Sequence, residues 1–412
     1  MKRIAFFSIP LFGHVNYGLK IAKQLQDDGY EVLYYSGYSY QNCIELKGVR
    51  FQAYSDEIEE LFETENSTYN NSYMSNIEPE KLDHVDEWYN FCSHLYKINE
   101  LFFEYDIHVM KKPDLVIYDS AALWGKRIGQ FFGVLSIASC TPYFYPEKYA
   151  RYDYAEFARL ILQKDYSNNK AGRVVYMLEK AVNGSIIEPL SPTADYRFIY
   201  SVKSFQAGVE YIDENTYFVG PLIDKDDYSS IDESLFSIDT ANIYIAFGSI
   251  YNNGTVFRRI YEECKDLPFN FILNIGNSVE LECFDDLPPN WHVVQRINQI
   301  SVLQKVQLFI SHGGVNSVRE SMYWGVPILV IPAEGDTLCT AKDIDTARLG
   351  VQLSIEDIEL IKEKIELILN SQEIQENCNK ISSEMKRAGG IYKTVEIIKN
   401  ILETSYEKST IN

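Results

Sequence analysis

The sequence predicts an α/β protein built from two doubly wound, parallel-sheet domains. Three observations lead there. The chain has 412 residues, too many for one ordinary hydrophobic core and enough for two domains of roughly 200 residues each. Hydrophobic residues make up 46% and charged residues 24%, a globular rather than a disordered composition. Short apolar strands alternate with amphipathic helices twice along the chain, and strands separated by helices pair in parallel.

In the first series, residues 4–9 read as a buried strand broken by Pro10-Leu11-Phe12-Gly13. A helix follows from His14, with Val15, Leu19, Ala22 and Leu25 on one face and Gly29 at its end. Residues 31–35 and 115–118 are further strands, the latter delivering Asp119 at its carboxyl end; residues 122–132 form a helix and 134–139 a strand. The Tyr-, Asn- and Glu-rich stretch 54–106 and the aromatic stretch 141–185 have weak periodicity. They read either as helices and loops covering the sheet or as a variable pocket for an apolar or aromatic small molecule, and the two readings are compatible. Tyr217-Phe218-Val219-Gly220-Pro221-Leu222, with the acidic stretch 224–239 after it, looks like an interdomain connection. The second series has strands at 243–247, 270–275, 292–294, 308–310 and 327–331, and helices at 315–323, 355–369, 380–388 and 392–403.

Lys and Arg total 38 against 59 Asp and Glu, a net charge of −21. That argues against nucleic acid or an anionic membrane as partner, although backbone N–H groups can still hold a phosphate. The seven cysteines (Cys43, Cys92, Cys140, Cys264, Cys283, Cys339 and Cys378) are scattered, with no C-x-x-C pair. This fits a reducing cytosol better than a zinc site or a disulfide framework. Lys2-Arg3 before an apolar run resembles the start of a signal peptide, but the run is short and no small-residue cleavage site follows, so a first strand is the better reading. No apolar run approaches the ~20 residues that span a bilayer. A cytoplasmic protein without integral membrane association is expected.

The strongest chemical signal is Ser311-His312-Gly313-Gly314 between the strand 308–310 and a helix beginning near Val315. Paired glycines let a backbone approach a phosphate closely, and the helix start offers unpaired N–H donors at the positive end of its dipole. His312, Asn316 and Ser317 add side-chain donors; Glu320 lies one helical turn on, and Asp336 follows another strand. A Gly-Gly turn alone is often tight packing, but several polar groups at strand ends point to an anionic ligand. Neither G-x-G-x-x-G nor a Walker lysine loop occurs, which weakens dehydrogenase and NTPase readings. At the first strand-to-helix turn stands His14. Either His14 acts as a general base oriented by Asp119, or His14 caps its helix and Asp119 merely starts the next one.

These pieces resemble, in order and along nearly the whole chain, the family 1 glycosyltransferases, especially the bacterial macrolide-glycosyltransferase-like branch. The matching residues are Gly13-His14-Val15-Asn16, Pro113-Asp114-Leu115-Val116-Ile117-Tyr118-Asp119, Phe218-Val219-Gly220-Pro221, Ile245-Ala246-Phe247-Gly248-Ser249, and Gln299 with Leu303. The loop His312-Gly313-Gly314-Val315-Asn316-Ser317 with Glu320, Gly325-Val326-Pro327 and Gly335-Asp336 complete the set. The resemblance implies a GT-B fold of two Rossmann-like domains: an acceptor domain over 1–221, a nucleotide-sugar domain over 222–390, and a final helix, 391–412, crossing back to the first. It implies inverting transfer without a metal or cofactor, from a UDP-sugar donor to a hydroxyl of a hydrophobic acceptor such as a polyketide, macrolide or phenolic natural product. His14 would be the base and Asp119 its orienting carboxylate. Ser249, His312, Gly313, Gly314, Asn316 and Ser317 would hold the diphosphate, Glu320 the ribose, Asp336 and Thr337 the sugar, and Ile297 and Gln299 would flank the uracil.

The sequence departs from the family pattern at three positions. Thr337 stands where Gln is common, Ile297 where many plant members have an aromatic, and Thr340 where Asn is usual. These bear on the sugar more than on the reaction: UDP-glucose is the default donor, with UDP-N-acetylglucosamine, UDP-galactose or a TDP-sugar open. Two other readings share the fold. A sugar-nucleotide 2-epimerase would need no acceptor, and a non-catalytic auxiliary protein would be expected to lack His14 or Asp119; both residues are present.

Overall fold

The computed structural model describes residues 1–62, 83–224, 227–248, 254–277, 279, 284, 287–333 and 335–410. Ser249 lies outside the described residues. The chain forms two compact units. Among the described residues, those up to Leu222 and from Ala388 onward make the first, and Ile223–Arg387 the second.

The first unit holds seven strands: β1 (Arg3–Phe7), β2 (Glu31–Ser36), β3 (Arg50–Ala53), β4 (Leu115–Asp119), β5 (Ser136–Cys140), β6 (Tyr196–Ile199) and β7 (Thr216–Phe218). They lie in the order β3-β2-β1-β4-β5-β6-β7, every pair parallel. Because both faces of a parallel sheet are covered, its central strands are continuously apolar. Ile4 and Phe6 of β1 enter one core and Ala5 and Phe7 the opposite one. The first core is closed by the helix Phe12–Asp27, through Val15, Ile21 and Leu25, and by the C-terminal helix Gly390–Thr410, through Val395, Ile398 and Leu402. Lys399 pairs with Asp28 at 2.7 Å, and Lys2 Nζ donates to the Leu402 carbonyl at 2.7 Å. On the other face lie the helices His84–Leu101, through Leu95 and Ile98, and Trp124–Phe132, through Trp124 and Ile128.

Several local expectations change. The first helix begins at Phe12 rather than at His14, so His14 sits in its first turn. Tyr217 and Phe218, read as linker, belong to β7. The aromatic stretch contains the helices Glu147–Tyr152, Tyr154–Leu160 and Asn168–Val182. The expected helix over 355–369 divides into a 3₁₀ turn, Ile355–Leu360, and the helix Ile361–Asn370, with Asp357 non-helical inside the first part.

The second unit carries β8 (Asn242–Ala246), β9 (Asn270–Asn274), β10 (Trp291–Val294), β11 (Leu308–Ser311), β12 (Ile328–Val330) and β13 (Gly350–Gln352). Their order is β10-β9-β8-β11-β12-β13, again all parallel. In each sheet the order reverses at its first strand, between β1 and β4 and between β8 and β11. Such reversal points open a crevice at the carboxyl ends of the strands, where α/β sheets place ligands. The turn carrying His14 and the residue Asp119 flank the first reversal, and Gly248 and the loop 312–314 flank the second.

Candidate active site

At the first reversal, Asp119 ends β4 with its side chain 2% exposed, and its Oδ2 accepts from His14 Nδ1 at 2.6 Å. Its Oδ1 accepts from the Ala121 N–H at 2.8 Å, within the turn that leads into the helix Trp124–Phe132. The two readings open from sequence are therefore not exclusive for Asp119: one oxygen stabilises the turn and the other takes the imidazole. The N-cap of the helix carrying His14 is Leu11, whose side chain makes no capping bond. An ionised carboxylate only accepts, so the proton of a neutral His14 sits on Nδ1. His14 remains 18% exposed, enough to meet a ligand.

At the second reversal, backbone geometry explains the glycines. Gly313 has φ +89°, and a Cβ there would lie 2.8 Å from Val330 Cγ1. His312 packs against two further glycines: an added Cβ on Gly248 would come within 2.9 Å of its Cε1, and one on Gly314 within 2.5 Å of its Nε2. Burial drives the His312 pKa down to about 4, because a charged ring there would lose its hydration. It is a neutral imidazole at physiological pH, not a cation. The helix Val315–Trp324 starts after Gly314, an N-cap residue with no side chain to cap it.

Gln299 opens the short helix Gln299–Leu303 and donates from Nε2 to Ser317 Oγ at 3.1 Å and to Glu320 Oε2 at 2.6 Å. Three residues read separately from sequence thus form one polar group. Asn316 and Asp336 are half-buried, each in the first turn of its helix, and Ile297 is half-buried after β10. Thr337 is placed differently. It is 1% exposed, and its hydroxyl oxygen accepts from the Ala333 N–H at 3.1 Å, so this side chain builds the loop before its helix.

Two residues that the motif reading left out of the site support it from behind. Thr340 Oγ1 lies 2.5 Å from the Gly313 carbonyl and 3.0 Å from that of Thr337, fastening the glycine turn to the helix Asp336–Thr346. Arg319 is 3% exposed, and its Nη1 donates to Asn316 Oδ1 at 3.2 Å. The signal for Arg319 was present in the sequence as a charged residue between Val318 and Met322 on the face that turns inward. Among the described residues no group of His, Cys, Asp and Glu is placed to hold a metal, and no helix is long and apolar enough to cross a membrane.

Comparison with known proteins bears on both crevices. Residues 259–403 match the family model of the erythromycin biosynthesis protein CIII-like C-terminal domain. Over 99% of both chains the sequence is 26% identical to YojK of Bacillus subtilis, described as an uncharacterized UDP-glucosyltransferase. It is 26% identical to the B. subtilis NDP-glycosyltransferase YjiC over 98% of both chains. Identity to the demethyllactenocin mycarosyltransferase of Streptomyces fradiae is 24% over 98% of this chain and 87% of the relative. Among solved structures, the calicheamicin glycosyltransferase CalG4 superposes with a TM-score of 0.76 at 19% identity, covering 98% of each chain. That likeness identifies the two all-parallel sheets as the GT-B fold.

Proposed function

Since the chain is a family 1 glycosyltransferase, related over its full length to bacterial macrolide and NDP-glycosyltransferases, we propose that it transfers a hexose from a UDP-sugar, UDP-glucose by default, to a hydroxyl of a hydrophobic small molecule. The observation that carries this reading is the 2.6 Å bond between His14 Nδ1 and Asp119 Oδ2. The acceptor hydroxyl gives its proton to His14 Nε2 while its oxygen attacks the anomeric carbon. The bond from that carbon to the diphosphate oxygen breaks on the opposite face, inverting the centre, and the electron pair leaves with the nucleoside diphosphate. Asp119 keeps the imidazole in the required tautomer and stabilises the imidazolium that forms. The N–H groups that begin the helix Val315–Trp324 stabilise the charge gathering on the leaving diphosphate, with Asn316 and Ser317 beside them. Glu320, held by Gln299, accepts from the ribose hydroxyls, and Asp336 from the sugar.

The relatives support a natural-product acceptor. One is named as a mycarosyltransferase of demethyllactenocin and another as an oleandomycin glycosyltransferase, and a spinosyn rhamnosyltransferase of the same fold has been solved with its aglycone. The test is to incubate the purified protein with UDP-glucose and, separately, polyphenol, macrolide, sterol and peptide acceptors, and to read products by mass spectrometry. Acceptor-dependent UDP release with a hexose adduct is expected. Turnover of the sugar nucleotide without any acceptor would instead favour the 2-epimerase reading.

A further inference from the structure

A glycine stands in the interior of the helix that carries His14. Gly18 lies within Phe12–Asp27, where alanine favours a helix and glycine disfavours it. A neighbour from the sheet explains the choice: a Cβ at Gly18 would lie 2.5 Å from the hydroxyl of Tyr34. Tyr34, on β2, is 1% exposed, and its ring stacks on that of Phe6, its register partner in β1, with centroids 5.6 Å apart. Its hydroxyl occupies the space that a side chain would fill and donates to the Val15 carbonyl at 3.1 Å. A carbonyl has two lone pairs, so this bond adds to the one that a helix carbonyl accepts from its own helix. Burial pushes the Tyr34 pKa up, so the phenol keeps its proton, and its donor, at any physiological pH. Val15 directly follows His14, and the N–H groups of both residues donate to the Leu11 carbonyl, at 2.9 and 3.0 Å respectively. The strand side of the same turn is fastened from the opposite face of the sheet: the Tyr54 hydroxyl lies 3.0 Å from the Ser8 carbonyl and 3.3 Å from that of Tyr35.

We propose that Tyr34 is a positioning residue for His14, acting through the Val15 carbonyl to fix the first helical turn where the imidazole meets Asp119. A catalytic group has to be held within about 0.5 Å of its working place by neighbours that are themselves locked. Tyr34 meets that requirement, since its ring is clamped by Phe6 and its hydroxyl ends one residue from His14. Gly18 belongs to the same device, because any larger residue would push the hydroxyl out. This role rests on the reading of His14 as the base and adds the residue that holds its backbone.

The experiment is nitrogen NMR of the full-length protein with isotope-labelled histidine, at a pH where the imidazoles are neutral. It reads the ratio of Nδ1–H to Nε2–H tautomer at His14, whose signals are those lost in His14→Ala. The wild type should hold the Nδ1–H form. Tyr34→Phe, which keeps the ring and its stacking, should lower the ratio about three- to tenfold, the net worth of one buried hydrogen bond. Gly18→Ala should lower it similarly by displacing the hydroxyl. In the Tyr34→Phe background the same alanine should raise the denaturation midpoint, because the clashing oxygen is gone and alanine is the better helix former. A wild-type ratio in folded Tyr34→Phe overturns the proposal, even if its denaturation midpoint falls, because the hydroxyl is then structural only. Should Tyr34→Phe not fold, the double variant Tyr34→Phe/Gly18→Ala, whose new methyl fills the gap, carries the test, and it too must show the lowered ratio. A wild-type His14 with its proton on Nε2 overturns the base reading as well, an outcome distinct from an unchanged ratio in Tyr34→Phe.

Discussion

At the scale of single residues, charge state decides which histidine does what. His14 is partly exposed and its Nδ1 is held by a buried carboxylate, so its other nitrogen is the one proposed as the base. His14→Ala is expected to lower transfer to an oxygen acceptor about 10²–10⁴-fold, the usual contribution of a general base, and to leave UDP affinity unchanged. Equal loss of both in parallel kinetic and calorimetric assays would show that His14 is structural. His312 is the opposite case: burial lowers its pKa to about 4, whereas in an unfolded chain the group titrates near ~6.5. Below that pH the unfolded state binds more protons than the folded one. The stability held by neutral burial is therefore complete above about 6.5 and is lost as pH falls toward 4, by roughly 3 kcal/mol. Denaturant titrations from about pH 7 to pH 4 should find His312→Asn less steeply dependent on pH than the wild type. Identical slopes would sink this account.

At the scale of elements, the turn between β11 and the helix Val315–Trp324 is set by what surrounds it. Gly313 combines a positive φ with Val330 Cγ1 2.8 Å from any added Cβ, and its carbonyl is held by Thr340. Gly313→Ala is expected to cost about 1–3 kcal/mol, from backbone strain plus crowding, and to weaken UDP binding because the turn carries the first N–H groups of the helix. An alanine variant with wild-type denaturation midpoint and UDP affinity would mean that the glycine is dispensable. The same scale explains which strands were hard to read. β1, β4, β8 and β11 are apolar runs preceding helices with a strong period, signals contained in a few consecutive residues. β3 (RFQA), β6 (YRFI), β7 (TYF) and β13 (GVQ) are three or four residues long and mix polar with apolar side chains. They become strands because a neighbouring strand offers its edge, as Ile199 and Phe218 show by pairing in register.

At the scale of the whole molecule, the last helix, Gly390–Thr410, belongs to the first unit although the preceding helix, Gln372–Arg387, belongs to the second. Ile398 is fully buried among Val15, Ile21 and Leu25. Ile398→Ala should destabilise the protein by about 2–5 kcal/mol, the range for a large aliphatic residue removed from a packed core. UDP affinity should persist, because the proposed donor loop lies in the other unit. Loss of UDP affinity in a still-folded Ile398→Ala protein would contradict that separation.

Much was written locally. The two parallel α/β series follow from apolar strands and periodic helices, and the tight turn before the helix Val315–Trp324 follows from two glycines between a strand and a helix, since both signals depend on neighbours in the chain. The tertiary structure decided what distance along the chain conceals. It joined His14 to Asp119, 105 positions apart, tied Gln299 to Glu320, 21 apart, and turned Thr337 into the loop. It also buried Arg319 behind Asn316. Each of these depends on which side chain is excluded from water, and burial is a property of packing between elements, not of the residues within one.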